Sequence, residues 1–136
     1  MKAFIMKAIQ KSLIDCVGSD VSNQIWLNRL PIGESPDVYI VWRSDPSNRE
    51  DNFEDGRIES SFAVSCWGGE DDVDKLFALT NKIDSDLAGH LPKYLITGYY
   101  FVSVAQEIVQ GPIDVDDQYQ VLSTFTLRVG RSQKWN

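Results

Sequence analysis

Residues 118–130 alternate without a break: Tyr119, Val121, Ser123, Phe125, Leu127 and Val129 against Gln120, Leu122, Thr124, Thr126 and Arg128. A period of two sends successive side chains to opposite faces of a strand. This segment is therefore a strand with one face turned to a core. Residues 58–67 repeat the pattern, with Ile58, Ser60, Phe62, Val64 and Cys66 opposed to Glu59, Ser61, Ala63, Ser65 and Trp67. Two such strands need a second layer to cover their apolar faces.

Two segments have the period that supplies it. Ile5, Ile9, Leu13 and Val17 recur every four residues, flanked by Met6, while Lys2, Lys7, Gln10 and Lys11 fill the other face. That spacing predicts an amphipathic helix over 3–17, with Gly18 as its stop. After Gly68 and Gly69, a stripe of Val73, Leu76, Phe77, Thr80, Ile83 and Leu87 predicts a second helix, ended at Gly89. Glu70, Asp71, Asp72 and Asp74 crowd its start, where carboxylates favour the positive end of the helix dipole.

The remaining strands follow from composition and punctuation. Residues 24–30 read as a strand rich in apolar and aromatic residues, and Pro31, Gly33 and Pro36 then turn the chain. Residues 37–42, Asp-Val-Tyr-Ile-Val-Trp, read as a strand covered on both faces. Residues 43–57 are polar and read as a long loop. Residues 94–109 carry Tyr94, Ile96, Tyr99, Tyr100, Phe101, Val102, Val104 and Ile108, with a kink expected at Gly98. A turn is expected to open at Gly111-Pro112 and to run through Asp114, Asp116 and Asp117. The order is α-β-β-β-α-β-β. It defines an α+β fold with a mostly antiparallel sheet packed by two helices, in one domain over 1–136 with a polar tail at 131–136.

Charge limits the partners. With 13 Lys plus Arg against 20 Asp plus Glu, the net charge is −7, which disfavours gripping a phosphate backbone. The two cysteines, Cys16 and Cys66, have no redox or zinc spacing and are expected to be buried free thiols of a reducing compartment. The first ten residues lack the pattern of a secretory leader, and no stretch approaches the roughly 18 apolar residues of a membrane span.

Catalytic patterns are missing from the chain. His90 is its one histidine, and it falls at the end of the second helix, where a protonated ring suits the negative dipole end. Nucleophile-elbow, zinc-protease and phosphate-loop motifs do not occur. An EF-hand with Gly56 at its sixth position would need oxygen ligands at Phe53 and Phe62, so that match fails. The acidic groups at 70–74 and 114–117 are explained by a helix start and a turn. Neither an enzyme nor a cofactor or metal site is expected. Trp26, Trp42 and Trp67, with Tyr39, Tyr99 and Tyr100, lie in or beside strands. Any that are exposed would anchor a protein interface.

The full pattern resembles the tail terminator, or tail completion, proteins of long-tailed bacteriophages. The likeness spans residues 3–130: the helix Ala3–Val17, the strand Asp-Val-Tyr-Ile-Val-Trp after a Leu-Pro turn, and a polar loop before Ser-Phe-Ala-Val-Ser-Cys-Trp. The acidic helix start and an Asp-rich turn before Gln-Val-Leu-Ser-Thr-Phe-Thr-Leu-Arg-Val complete it. The resemblance implies a virion protein at the head-proximal end of the tail. It would form a ring of six copies, contact the tail tube protein and the head connector or head-closure protein, and end tube growth. An acidic lumen would pass DNA without binding it. The alternatives are another neck component, such as a head-closure protein, or a metal-binding enzyme or regulator that uses the acidic clusters. Arg49, Asp51, Phe53, Glu54 and Asp55, in the long polar segment, are the expected contacts with neighbouring subunits or partners.

Overall fold

A computed structural model describes residues 1–44, 52–54 and 57–132. Helix α1 spans Ala3–Val17, and a 3-10 turn over Gly18–Val21 follows it. Strands β1 (Ile25–Leu27), β2 (Tyr39–Ser44), β3 (Asn52–Glu54) and β4 (Arg57–Gly68) lead to a short 3-10 turn and helix α2 (Val73–His90). A further 3-10 turn, Leu91–Tyr94, precedes β5 (Tyr99–Val115) and β6 (Gln118–Arg131).

The expected α-β-β-β-α-β-β order is present, with β3 as one addition. The sheet runs β1-β2-β4-β6-β5, and β3 shares with β2 the same edge of β4. Every pairing is antiparallel except β1 with β2. The fold is therefore α+β, with both helices over a mostly antiparallel sheet.

The two alternating strands form its centre. Phe62 of β4 stands directly opposite Phe125 of β6, with stacked rings 5.2 Å apart. Trp42 of β2 meets Phe62 edge-on at 6.2 Å. Ile5, Ile9, Leu13 and Val17 of α1 and Leu76, Ile83 and Leu87 of α2 are fully buried against this face. Leu79, left out of the expected α2 stripe, is buried too, while Val73 and Phe77 are only partly covered.

Several boundaries differ from expectation. α2 does not stop at Gly89: it runs through His90 into the 3-10 turn, because Gly89 keeps helical geometry on the exposed side. β5 starts at Tyr99 rather than 94 and continues to Val115, through the residues expected to turn. The register slips between Gln110 and Ile113, but pairing resumes at Ile113–Gln120. The reversal is a two-residue turn at Asp116 and Asp117, with φ of 50° and 67°. Positive φ at both positions matches the right-handed twist of the flanking strands, and Asp tolerates it. The 43–57 segment is not all loop. Arg43 and Ser44 extend β2 opposite Ala63 and Phe62, and residues 52–54 pair with 57–59. Polar side chains are compatible with strands where the backbone finds a long neighbour such as β4.

Candidate assembly surfaces

The helices cover one face of the sheet, and the other carries small and polar side chains tied across strands. Arg128 donates to Glu59 at 3.1 Å, Gln120 Nε2 donates to Ser65 Oγ at 2.7 Å, and Thr126 donates to Glu107. Tyr39 stacks on Trp67 at 6.2 Å, and its hydroxyl donates to Gln118 at 3.1 Å. These partnered groups tie the strands together on a face where Tyr39 and Thr126 are themselves buried.

The two sheet edges differ. β5 is a 17-residue edge strand whose outer backbone has no partner strand among the described residues. It exposes Tyr100, Val102, Ile108, Val109, Ile113 and Val115. Tyr100 folds its ring over Gly130 of β6 and leaves no room for a Cβ there. An exposed edge of this length and character is a template for pairing with another chain.

At the opposite edge, a groove of about 570 Å³ lies between α1 and β1. Met6, Ile25, Trp26 and Leu27 give it an apolar lining, and Lys7 and Lys11 also border it. Gln10 fixes its geometry. Its Nε2 donates to the Ile25 carbonyl at 2.8 Å, and its Oε1 accepts from Trp42 Nε1 at 2.6 Å. The sequence pattern places Gln10 on the face of α1 opposite the apolar stripe. In fact it bridges the helix to two strands, since Trp42 is fully buried and its indole N–H requires an acceptor.

The sequence-derived contact residues are only partly placed. Phe53 and Glu54 lie in β3, paired with Ile58 and Arg57. Arg49, Asp51 and Asp55 lie outside the described residues. The exposed β5 edge and the α1–β1 groove were not singled out from sequence. The signal for the first was the apolar run at 99–109. Local pattern does not say, however, that this strand ends up at an edge.

The polar clusters resolve into structural roles. His90 Nδ1 lies 3.7 Å from Asp15 Oδ2 and 3.2 Å from Lys93 Nζ, and Tyr94 donates its hydroxyl to Asp15. The hydrogen bond to Asp15 raises the Tyr94 phenol above its usual range. This cluster ties the end of α2 and the following turn to α1. Asp72 Oδ2 accepts the Gly69 N–H at 3.0 Å and so caps the start of the α2 region. No group of three or more His, Cys, Asp or Glu side chains among the described residues is arranged to hold a metal. Cys16 and Cys66 are buried free thiols, both pushed up to about 11, chiefly by burial. Among the described residues, no helix is long and apolar enough to cross a membrane.

This is the class of a helix-covered antiparallel sheet with two unlike, accessible edges. No protein-family model and no curated protein sequence matches the chain. Solved structures share its fold. One is a chain from the virion of a native gene transfer agent particle, with TM-score 0.55 and 14% identity, covering 95% of this chain and 99% of its own. Another, with TM-score 0.52 and 13% identity, covers 100% of this chain and 99% of its own. At these identities the likeness is one of fold, and it runs end to end on both sides.

Proposed function

We propose that this chain is a non-enzymatic structural component of a phage-like virion, acting as a tail terminator at the head-proximal end of the tail. The observation that carries this reading is the end-to-end fold likeness to a chain of a gene transfer agent virion. The element order that resembles tail terminators supports the same reading. In this role six copies form a ring that caps the tail tube, ends its polymerisation and presents a surface to the head connector or head-closure protein. DNA passes through the lumen, and the net charge of −7 discourages it from adhering.

A ring with one kind of subunit needs two different patches on each copy. The β5 edge and the α1–β1 groove meet that requirement, and Arg49, Asp51, Phe53, Glu54 and Asp55 are proposed as further contacts. The test is the phenotype of particles assembled without the protein, viewed by electron microscopy. Overlong tails of variable length support a terminator. Normal-length tails beside unjoined, filled heads would reassign the chain to head closure.

A further inference from the structure

The two edges of the sheet accept different things. At β1 the outward backbone is already occupied. The Ile25 N–H donates to the Asn23 carbonyl and the Arg29 N–H to the Leu27 carbonyl, each at 2.9 Å, and the Ile25 carbonyl accepts from Gln10. A strand added there would find few free groups. The groove beside β1 is an apolar recess, and its lining includes Lys7 and Lys11 but no carboxylate.

The β5–β6 hairpin has the complementary character. From Tyr94 to Leu127 the chain has no Lys or Arg, but it carries Glu107, Asp114, Asp116 and Asp117. At the hairpin end, Ile113 and Val115 are 36% and 39% exposed, and Asp114 and the Asp116-Asp117 turn sit among them. The tip thus combines aliphatic side chains with carboxylates, and the groove combines an apolar lining with a border of Lys7 and Lys11, the Lys11 ammonium resting 5.7 Å from the centre of the Tyr94 ring. Burial of the aliphatic groups supplies the attraction, and the charges set orientation and partner choice.

These surfaces belong to opposite edges of one sheet, so one copy does not join its own. We propose that the Ile113–Asp117 tip of one copy seats in the α1–β1 groove of a second copy, with Asp114 and Asp116 facing Lys7 and Lys11. The contact is head-to-tail, and its repetition closes a ring if the rotation per copy allows. This inference rests on the proposed ring for its premise of self-association and names the surfaces that would make it.

Charge reversal tests it. In K7E/K11E both tip and groove are acidic, and in D114K/D116K both are basic. Sedimentation velocity should show self-association at least roughly tenfold weaker for each variant alone than for the unaltered chain. An equimolar mixture should restore it, because each basic surface then finds an acidic one. Thermal melts check that the variants fold, and the pair K7E and D114K, which leaves the positive-φ Asp116 in place, provides the same test should either double variant unfold. Either variant associating like the unaltered chain, or a mixture no better than its components, overturns the proposal. An unaltered chain that remains monomeric yet caps tube ends also overturns it but leaves the terminator reading standing. Charge-dependent association with no effect on tube ends supports this inference and removes that reading.

Discussion

Trp42 and Gln10 are joined by a 2.6 Å hydrogen bond that fixes α1 to the sheet, and the same Gln10 amide holds the Ile25 carbonyl of β1. Gln10→Leu should cost about 2–3 kcal/mol in urea unfolding, because it orphans a buried indole N–H and a carbonyl together. It should also widen the α1–β1 groove and weaken self-association. A loss under 0.5 kcal/mol would mean that this bridge is dispensable.

The facing pair Phe62 and Phe125 lies where the helices press on the sheet, and both are essentially fully buried. Phe125→Ala should destabilise by about 3–5 kcal/mol, as a large side chain lost from a packed interior. Phe125→Leu should recover most of this. Equal losses in the two variants would show that the site requires the aromatic ring stacked on Phe62 rather than apolar volume.

Cys66 gives the stability a predictable alkaline limb. Burial raises its thiol from 9.0 to about 11, so between these values the unfolded chain loses a proton that the folded chain keeps. Its contribution is complete below pH 9 and falls away as the pH rises towards 11, by roughly 2 kcal/mol. Cys16 acts in the same direction, through burial and then the nearby Asp86 and Asp15. Urea midpoints at pH 8, 9.5 and 10.5 should fall more steeply for the unaltered chain than for Cys66→Ala. Parallel slopes would contradict this assignment.

Ile108 and Val109 are 50% and 46% exposed on an edge strand. Ile108→Lys should alter stability by less than about 0.5 kcal/mol, as a surface change, while reducing strand-mediated association. Light scattering at high concentration measures the second effect. Unchanged association would place any contact away from this part of β5.

Phe53→Ala and Arg49→Glu address the surface chosen from sequence. Both are expected to impair assembly onto tail tubes and leave thermal stability intact. Normal capping by both variants would remove residues 49–55 from the interface.

The elements that were legible in sequence are those whose neighbours impose one face. Ile5, Ile9, Leu13 and Val17 read as a helix stripe, and all four are buried. The alternation in 58–67 and 118–130 gave both central strands and their inward faces. The bridging role of Gln10 is not legible, because a polar residue at the margin of an apolar stripe looks solvated unless its partner is known. The Gly111-Pro112 pair carries strong turn chemistry, but long-range pairing with β6 carried the strand past it to Asp116-Asp117. The β5 edge was hidden for a related reason: an apolar run looks the same in sequence whether its strand lies inside a sheet or at its border. The groove depends on how α1 crosses β1, and that is a property of the assembled layers.

The central claim is most directly tested by native mass spectrometry of the purified chain at rising concentration, with and without tail tubes. The account predicts that the 15.4 kDa species gives way to a closed assembly of about six times that mass, and that tube ends promote its formation. A chain that stays at 15.4 kDa at every concentration and leaves tube ends unoccupied would contradict it.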